Sequence, residues 1–159
     1  MQKRYEASLP RIDGALIAIL QSKWYGEETG RMARIAVRLL ETAGASVELH
    51  VLPGSLELPI AAQTLATLRP RSYEAMIALG AVLKGDTLHF ELVAEGCAQG
   101  LAQVSLEHGI PIINEVLPCY TEEQLTARTS DDDRNKGIEA AQAAAEIVAW
   151  RRSLEPSRG

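Results

Sequence analysis

The chemistry-bearing residues of this chain are densest between Leu79 and Phe90. An apolar run, Leu79-Gly80-Ala81-Val82-Leu83, of the kind that forms a buried strand, gives way at Lys84-Gly85-Asp86-Thr87, and a helical pattern begins at once. At such a junction the first backbone N–H groups lack intrahelical acceptors and lie at the positive end of the helix, which suits a phosphate or carboxylate. His89 falls at the start of that helix, and imidazole is the side chain whose pKa best suits proton transfer near neutrality. An anion cradle beside an acid/base group points to an enzyme acting on a small phosphorylated molecule. Taken alone, the triplet is also an ordinary turn and N-cap, and His89 an ordinary helix-start histidine. Asp86 is expected to cap the helix, since its charge would repel a phosphate. His50 and His108 have no comparable surroundings and are expected at the surface.

Positioning these residues requires a scaffold, and the hydrophobic pattern supplies one. Ala15 to Leu20 is a continuous apolar run, the mark of a strand covered on both faces. Met32, Ile35, Ala36, Leu39, Leu40 and Ala43 recur at helical spacing, and Gly44 ends that helix. Val47 to Leu52 alternates apolar and polar, as a strand near the sheet edge would. Pro53-Gly54 breaks it, and Ser55 is expected to cap a helix running to about Leu68, with Glu57 in its first turn. Tyr73 to Leu83 reads as a central strand, 88–108 as a long helix and 110–116 as a further strand. Thr121-Glu122-Glu123-Gln124 matches a capping box, and 135–152 forms a final alanine-rich helix. Strands alternating with helices imply parallel pairing with right-handed crossovers, hence one doubly wound α/β domain. In such sheets ligands bind outside the carboxyl ends of the strands. That rule collects the loops 21–25, 53–57, 85–89 and 117–120 on one rim.

Composition narrows the class. The 159 residues are 47% hydrophobic with a single Phe, enough for one domain with an aliphatic core. A formal net charge of -5 and no basic run exclude nucleic acid as a natural partner. No segment has the length of a membrane span or the pattern of a signal peptide. Cys97 and Cys119 have no metal-ligand spacing and read as free thiols in a reducing compartment, so a cytoplasmic location is expected.

Four segments in this order resemble the lumazine synthase family of riboflavin biosynthesis: Lys23-Trp24-Tyr25, the stretch Val51 to Pro59 containing Pro53-Gly54-Ser55-Leu56-Glu57, the run Leu79 to Phe90, and Asn135-Lys136-Gly137 with Arg128 upstream. The resemblance extends over roughly residues 15–150. It implies a single three-layer αβα domain, residues 14–152, with a doubly wound parallel four-stranded sheet in flavodoxin-like order. An N-terminal arm, 1–13, precedes it and a flexible tail, 153–159, follows. It further implies condensation of 5-amino-6-(D-ribitylamino)uracil with 3,4-dihydroxy-2-butanone 4-phosphate, with neither metal nor cofactor.

By the same resemblance His89 is the catalytic histidine, and Gly85, Asp86, Thr87, Arg128 and Lys136 bind the phosphate. Trp24 stacks on the pyrimidine, while Ser55, Leu56, Glu57, Ala81, Val82, Leu83 and Asn114 hold the ring and ribityl chain. The family forms homo-oligomers, pentamers at their simplest, with active sites at subunit interfaces. Trp24, Ser55 to Glu57 and Ala81 to His89 then come from one chain, and Asn114, Arg128 and Lys136 from its neighbour. Each residue retains a plainer alternative: Trp24 could plug a core edge, Glu57 could serve its helix's first turn, and Lys136 could only balance Asp131 to Asp133. Leu56 stands where the family often has an aromatic, Lys84 where arginine is frequent, Asn114-Glu115 where an aromatic and a glycine are common, and Asp132 where lysine is frequent. Gly96 and Gly100 put a smooth strip on the long helix, expected to receive a partner helix or the chain's own sheet. Two other classes fit less well. A lumazine- or flavin-holding protein without turnover would release no phosphate, and a flavodoxin-like electron carrier would need a Ser/Thr-rich phosphate loop after the first strand.

Overall fold

A computed structural model describes residues 8–156; the expectations for 1–7 and 157–159 lie outside those residues. Four strands are arranged β2-β1-β3-β4, with β1 Leu16–Ser22, β2 Ser46–Leu52, β3 Ala75–Leu83 and β4 Ile112–Cys119, all parallel. Ile17 lies opposite Val47 on one side and Ala75 on the other, and Ala78 lies opposite Asn114. The helices are α1 Gly26–Thr42, α2 Leu58–Thr67, α3 His89–His108, α4 Glu122–Thr129 and α5 Lys136–Ser153.

The apolar strands are central because each of their faces meets a helical layer. On β1 and β3, Ile17, Ile19, Ala75, Ile77 and Leu79 join the core under α1 and α5. Ala18, Leu20, Met76, Ala78 and Val82 join the core under α2 and α3. The alternating strand β2 is an edge, as its pattern requires. This is the three-layer, flavodoxin-like arrangement expected from the sequence. Leu9 packs against the first core, and Ile12 is fully buried with its N–H on the Ala43 carbonyl at 2.9 Å.

Several local expectations are corrected. Ser55 does not cap a helix: Ser55–Glu57 is a single 3-10 turn, and α2 begins at Leu58 with Pro59 in its first positions. Asp86 does not cap α3 either. Leu88 holds the N-cap position without a side-chain bond, and Thr87 Oγ1 accepts from the His89 N–H at 3.3 Å. The capping box of α4 is half made. Thr121 Oγ1 accepts from the Gln124 N–H at 3.2 Å, but Gln124 Oε1 accepts from the Tyr120 N–H at 2.8 Å, one residue early.

The glycine strip of α3 runs alongside Leu56 and Pro59, with Gly96 exposed and Gly100 half-buried. A Cβ on Gly100 would fall 2.7 Å from Pro59 Cγ, and one on Gly96 would fall 3.3 Å from Leu56 Cδ2. The two glycines let α3 approach α2 and the 3-10 turn of the same chain, not its sheet. Gly137 has a similar role on the other face, where an added Cβ would lie 2.3 Å from the Met32 carbonyl oxygen. One non-glycine residue among those described has a positive φ: Tyr25, at φ 53 and ψ 46, preceding α1. A left-handed backbone there costs an L-residue about 1–2 kcal/mol.

Candidate active site

The carboxyl ends of β1, β2 and β3 surround a cavity of about 560 Å³, within the range of small-molecule sites. It opens beside the β1/β3 switch point, where doubly wound sheets bind ligands. Lys23, Trp24 and Tyr25 enter from the end of β1, Pro53 to Glu57 from the loop after β2, Ala81 to Leu83 from β3, and His89 and Val93 from α3. Trp24, Ser55, Leu56, Glu57, Ala81, Val82, Leu83 and His89 are thus brought to one place. Trp24 is 64% exposed, so it does not plug the core.

Gly54 lines the cavity, and Gly80 lies beneath Ser55, which does. A methyl at Gly54 would sit 3.1 Å from Glu57 Oε2 and 3.5 Å from Trp24 Cδ1, so its absence lets carboxylate and indole close on the backbone. A methyl at Gly80 would fall 2.9 Å from Ser55 Oγ, which is why Ser55, 7% exposed, can settle onto β3. The sequence drew attention to the loops carrying Lys23, Tyr25, Pro53 and Gly54 without giving these four a role, and it did not single out Val93. The conjunction of Lys23-Trp24-Tyr25 with Pro53-Gly54 just past two strand ends was the signal available.

Gly85, Asp86 and Thr87 form the exposed turn into α3, next to His89 but outside the cavity wall. The N–H groups of residues 85–88 find no acceptor among the described residues, leaving the donor-rich helix start that binds anions. Lys84 turns away from this opening. Its ammonium pairs with Glu91 and lies 5.2 Å from the Phe90 ring centroid, while Phe90 meets Tyr120 at 5.9 Å. Hydrogen bonding from Lys84, aided by the backbone, holds the Glu91 carboxyl below the usual range.

Asn114, Arg128 and Lys136 do not reach this cavity in the same chain. Asn114 is exposed on edge strand β4, three residues back from the rim by register with Ala78, and its Oδ1 accepts from the Val116 N–H at 3.0 Å. Arg128 spends one N–H on the Gln124 carbonyl at 2.9 Å, and its charge offsets part of the burial that raises the Cys119 thiol. Lys136 pairs with Glu139, not with Asp131 to Asp133; Asp132 pairs with Arg134. Glu115, near Lys136 and Glu139, has its carboxyl pushed up to about 7 by burial and by the Glu139 charge, with Lys136 opposing. Asn135 is the residue the sequence underrated. At 2% exposure, its side chain accepts from the Gly137 N–H at 2.8 Å and donates to the Thr129 and Ser130 carbonyls, each at 2.9 Å, joining α4 to α5.

Comparison with known proteins bears on this geometry. The model of the 6,7-dimethyl-8-ribityllumazine synthase family matches residues 14–152. A protein of that name from Streptomyces coelicolor is 39% identical over 157 residues, covering 96% of each chain. One from Azorhizobium caulinodans is 38% identical over 144 residues, covering 89% of each. One from Methylibium petroleiphilum is 40% identical over 136 residues, covering 83% of this chain and 81% of its own.

Proposed function

The chain belongs to the 6,7-dimethyl-8-ribityllumazine synthase family, and on that premise we propose how its rim cavity serves the reaction. The activity is the transferase step of riboflavin biosynthesis that condenses 5-amino-6-(D-ribitylamino)uracil with 3,4-dihydroxy-2-butanone 4-phosphate and releases phosphate. Trp24 stacks on the pyrimidine, and the backbone of Ser55 and Leu56 meets its polar edge. Glu57 accepts from ribityl hydroxyls, and Ala81 to Leu83 wall the ring. The phosphate rests on the N–H groups of Gly85, Asp86 and Thr87. His89 moves protons as the substrate amine adds to the ketone, water leaves to give the imine, phosphate is eliminated, and the ring closes on the remaining carbonyl with loss of a second water. The protein's part is orientation and proton transfer, which together account for large accelerations without a cofactor.

One observation carries the reading. An indole, a carboxylate and an imidazole share a single cavity of about 560 Å³, flanked by backbone donors without partners. The phosphate's guanidinium and ammonium are proposed to come from a neighbour, since Arg128 and Lys136 do not line the cavity of their own chain. The working unit is therefore a homo-oligomer, proposed as a pentamer, with Asn114, Arg128 and Lys136 completing each adjacent site. Exposed Leu56, Ile60, Leu88 and Leu92 around the same rim are apolar surface suited to a second copy. No described helix is long and apolar enough to cross a membrane, and a cytoplasmic location is proposed with it.

Steady-state formation of the fluorescent lumazine together with phosphate tests the activity; saturation by lumazine with no phosphate release from both substrates would overturn it. Sharing is tested by complementation. Trp24→Ala and Arg128→Ala proteins are each expected to be inactive, while a 1:1 co-assembled mixture regains up to roughly a quarter of wild-type activity, the fraction of head-to-tail sites with both residues intact. A co-assembled mixture that stays inactive places the whole site within one chain.

A further inference from the structure

Wherever else the described backbone enters the positive-φ region, it uses glycine: Gly14, Gly44 and Gly109. At residue 25 it uses tyrosine, and the strain there is held in place. The Tyr25 carbonyl accepts from the Thr29 N–H at 2.9 Å and from Thr29 Oγ1 at 3.1 Å. That buried hydroxyl in turn accepts from Gln21 Nε2 at 3.0 Å and reaches the Ser22 carbonyl at 3.2 Å. The turn from β1 into α1 is thus fixed by Gln21 and Thr29, and it needs nothing from the side chain at position 25. Strain of this kind persists only where its surroundings impose it, and it concentrates at sites that use it.

The side chain itself is uncommitted. Tyr25 makes no cap hydrogen bond to α1, and its phenol and ring have no partner among the described residues. By contrast the Tyr73 hydroxyl donates to Glu48 Oε2 at 2.5 Å. Tyr25 is 37% exposed and lines the rim cavity together with Trp24 and Glu57, whereas the Gly85 turn does not line it. We propose that Tyr25 is a specificity-determining residue whose phenolic hydroxyl hydrogen-bonds the polyhydroxylated pyrimidine substrate, retained at a strained position for that contact. This rests on the reading of the cavity as the pyrimidine half of the site. A hydroxyl aimed at a hydrogen-bonding substrate discriminates strongly, because analogues lacking the partner leave it unpaired.

The test uses the assembled protein and its product, 6,7-dimethyl-8-ribityllumazine, as a fluorescent probe of binding. Tyr25→Phe keeps the ring and the strain; it is expected to melt like wild type, to bind the probe about 5-fold more weakly, and to raise KM for the pyrimidine substrate but not for the phosphorylated ketone. Tyr25→Gly is expected to melt at higher temperature than wild type and to bind the probe at least 10-fold more weakly. Wild-type affinity in Tyr25→Phe overturns the proposal, and so does a Tyr25→Gly protein no more stable than wild type. If wild type itself neither binds the probe nor turns over, the cavity reading fails, and this inference with it.

Discussion

The two rims of the sheet are built from the same strands and helices, yet their polar groups are handled in opposite ways. At the carboxyl-end rim the start of α3 presents unpaired backbone N–H groups, and Trp24, Leu56 and Leu88 stand exposed. At the opposite rim the ends of α2, α3 and α5 converge, and arginines answer them. Arg69 donates to the Ala66 carbonyl at 3.1 Å and Arg151 to the Gly109 carbonyl at 2.7 Å, while Arg152 grips Glu74 at 2.6 and 2.9 Å and the Asp13 carbonyl at 3.0 Å. Tyr73 and Arg71 both close on Glu48, the latter at 3.0 Å. A cavity of about 680 Å³ lies among these residues, larger than the proposed active site. Size therefore does not distinguish the two. Cations placed at helix C-termini offset the partial negative charge there, so the arginines are already committed. The carboxyl-end rim leaves hydrogen-bonding capacity unspent among the described residues, as the proposed active site requires; the other rim spends it on the fold.

Mutations on each side separate these roles. The largest expected effect is on the open rim: His89→Ala should lower kcat by about 10²–10⁴-fold, the usual contribution of an acid/base group. Its unfolding free energy should shift by no more than about 0.5 kcal/mol, because the ring is exposed. Lumazine formation and thermal melting read the two quantities, and a destabilised but active variant would reverse the assignment. On the closed rim, Arg152→Ala should cost about 1–2 kcal/mol of stability through loss of the bidentate Glu74 contact at a half-buried site, with kcat/KM unchanged. Loss of activity without loss of stability would mean that this rim, too, takes part in binding.

Tyr73→Phe should cost about 1 kcal/mol, and pH sharpens it. Burial and the Glu48 hydrogen bond raise the Tyr73 phenol to about 12. A raised folded-state pKa stabilises fully below the unfolded value near 10 and fades as pH climbs through 12. The stability gap between wild type and Tyr73→Phe should therefore close across that alkaline window. Glu48 moves the other way: the Tyr73 hydrogen bond holds its carboxyl below the ordinary carboxylate value, so its contribution is lost on acidification. Chemical denaturation as a function of pH checks both ends.

Much of this division was legible in the chain. Continuous apolar runs marked β1 and β3 as covered on both faces, alternation marked β2 as an edge, and the break at Gly85 marked the passage from β3 to α3. What escaped was governed by contacts between segments distant in sequence. Whether Gly96 and Gly100 faced a partner or the chain itself depended on where Pro59 and Leu56 would lie. Asp86 looked like a cap by residue type, but α3 takes Leu88 as its N-cap, two residues later, and Thr87 supplies the oxygen. Ser55 looked like a cap as well, until the 3-10 turn laid its hydroxyl against Gly80. Tyr25 lay in a quoted segment, but nothing in its residue type announced a left-handed backbone, which Gln21 and Thr29 hold in place.

The seating of Gly100 on Pro59 has a consequence for motion. With no side chain between them, the helix that begins at His89 and the helix that follows Glu57 are wedged together. Close packing of this kind resists displacement of one helix without the other. On the proposed reading of the site, the His89 imidazole and the Glu57 carboxylate are therefore expected to keep their spacing, and substrates to meet a mouth already shaped.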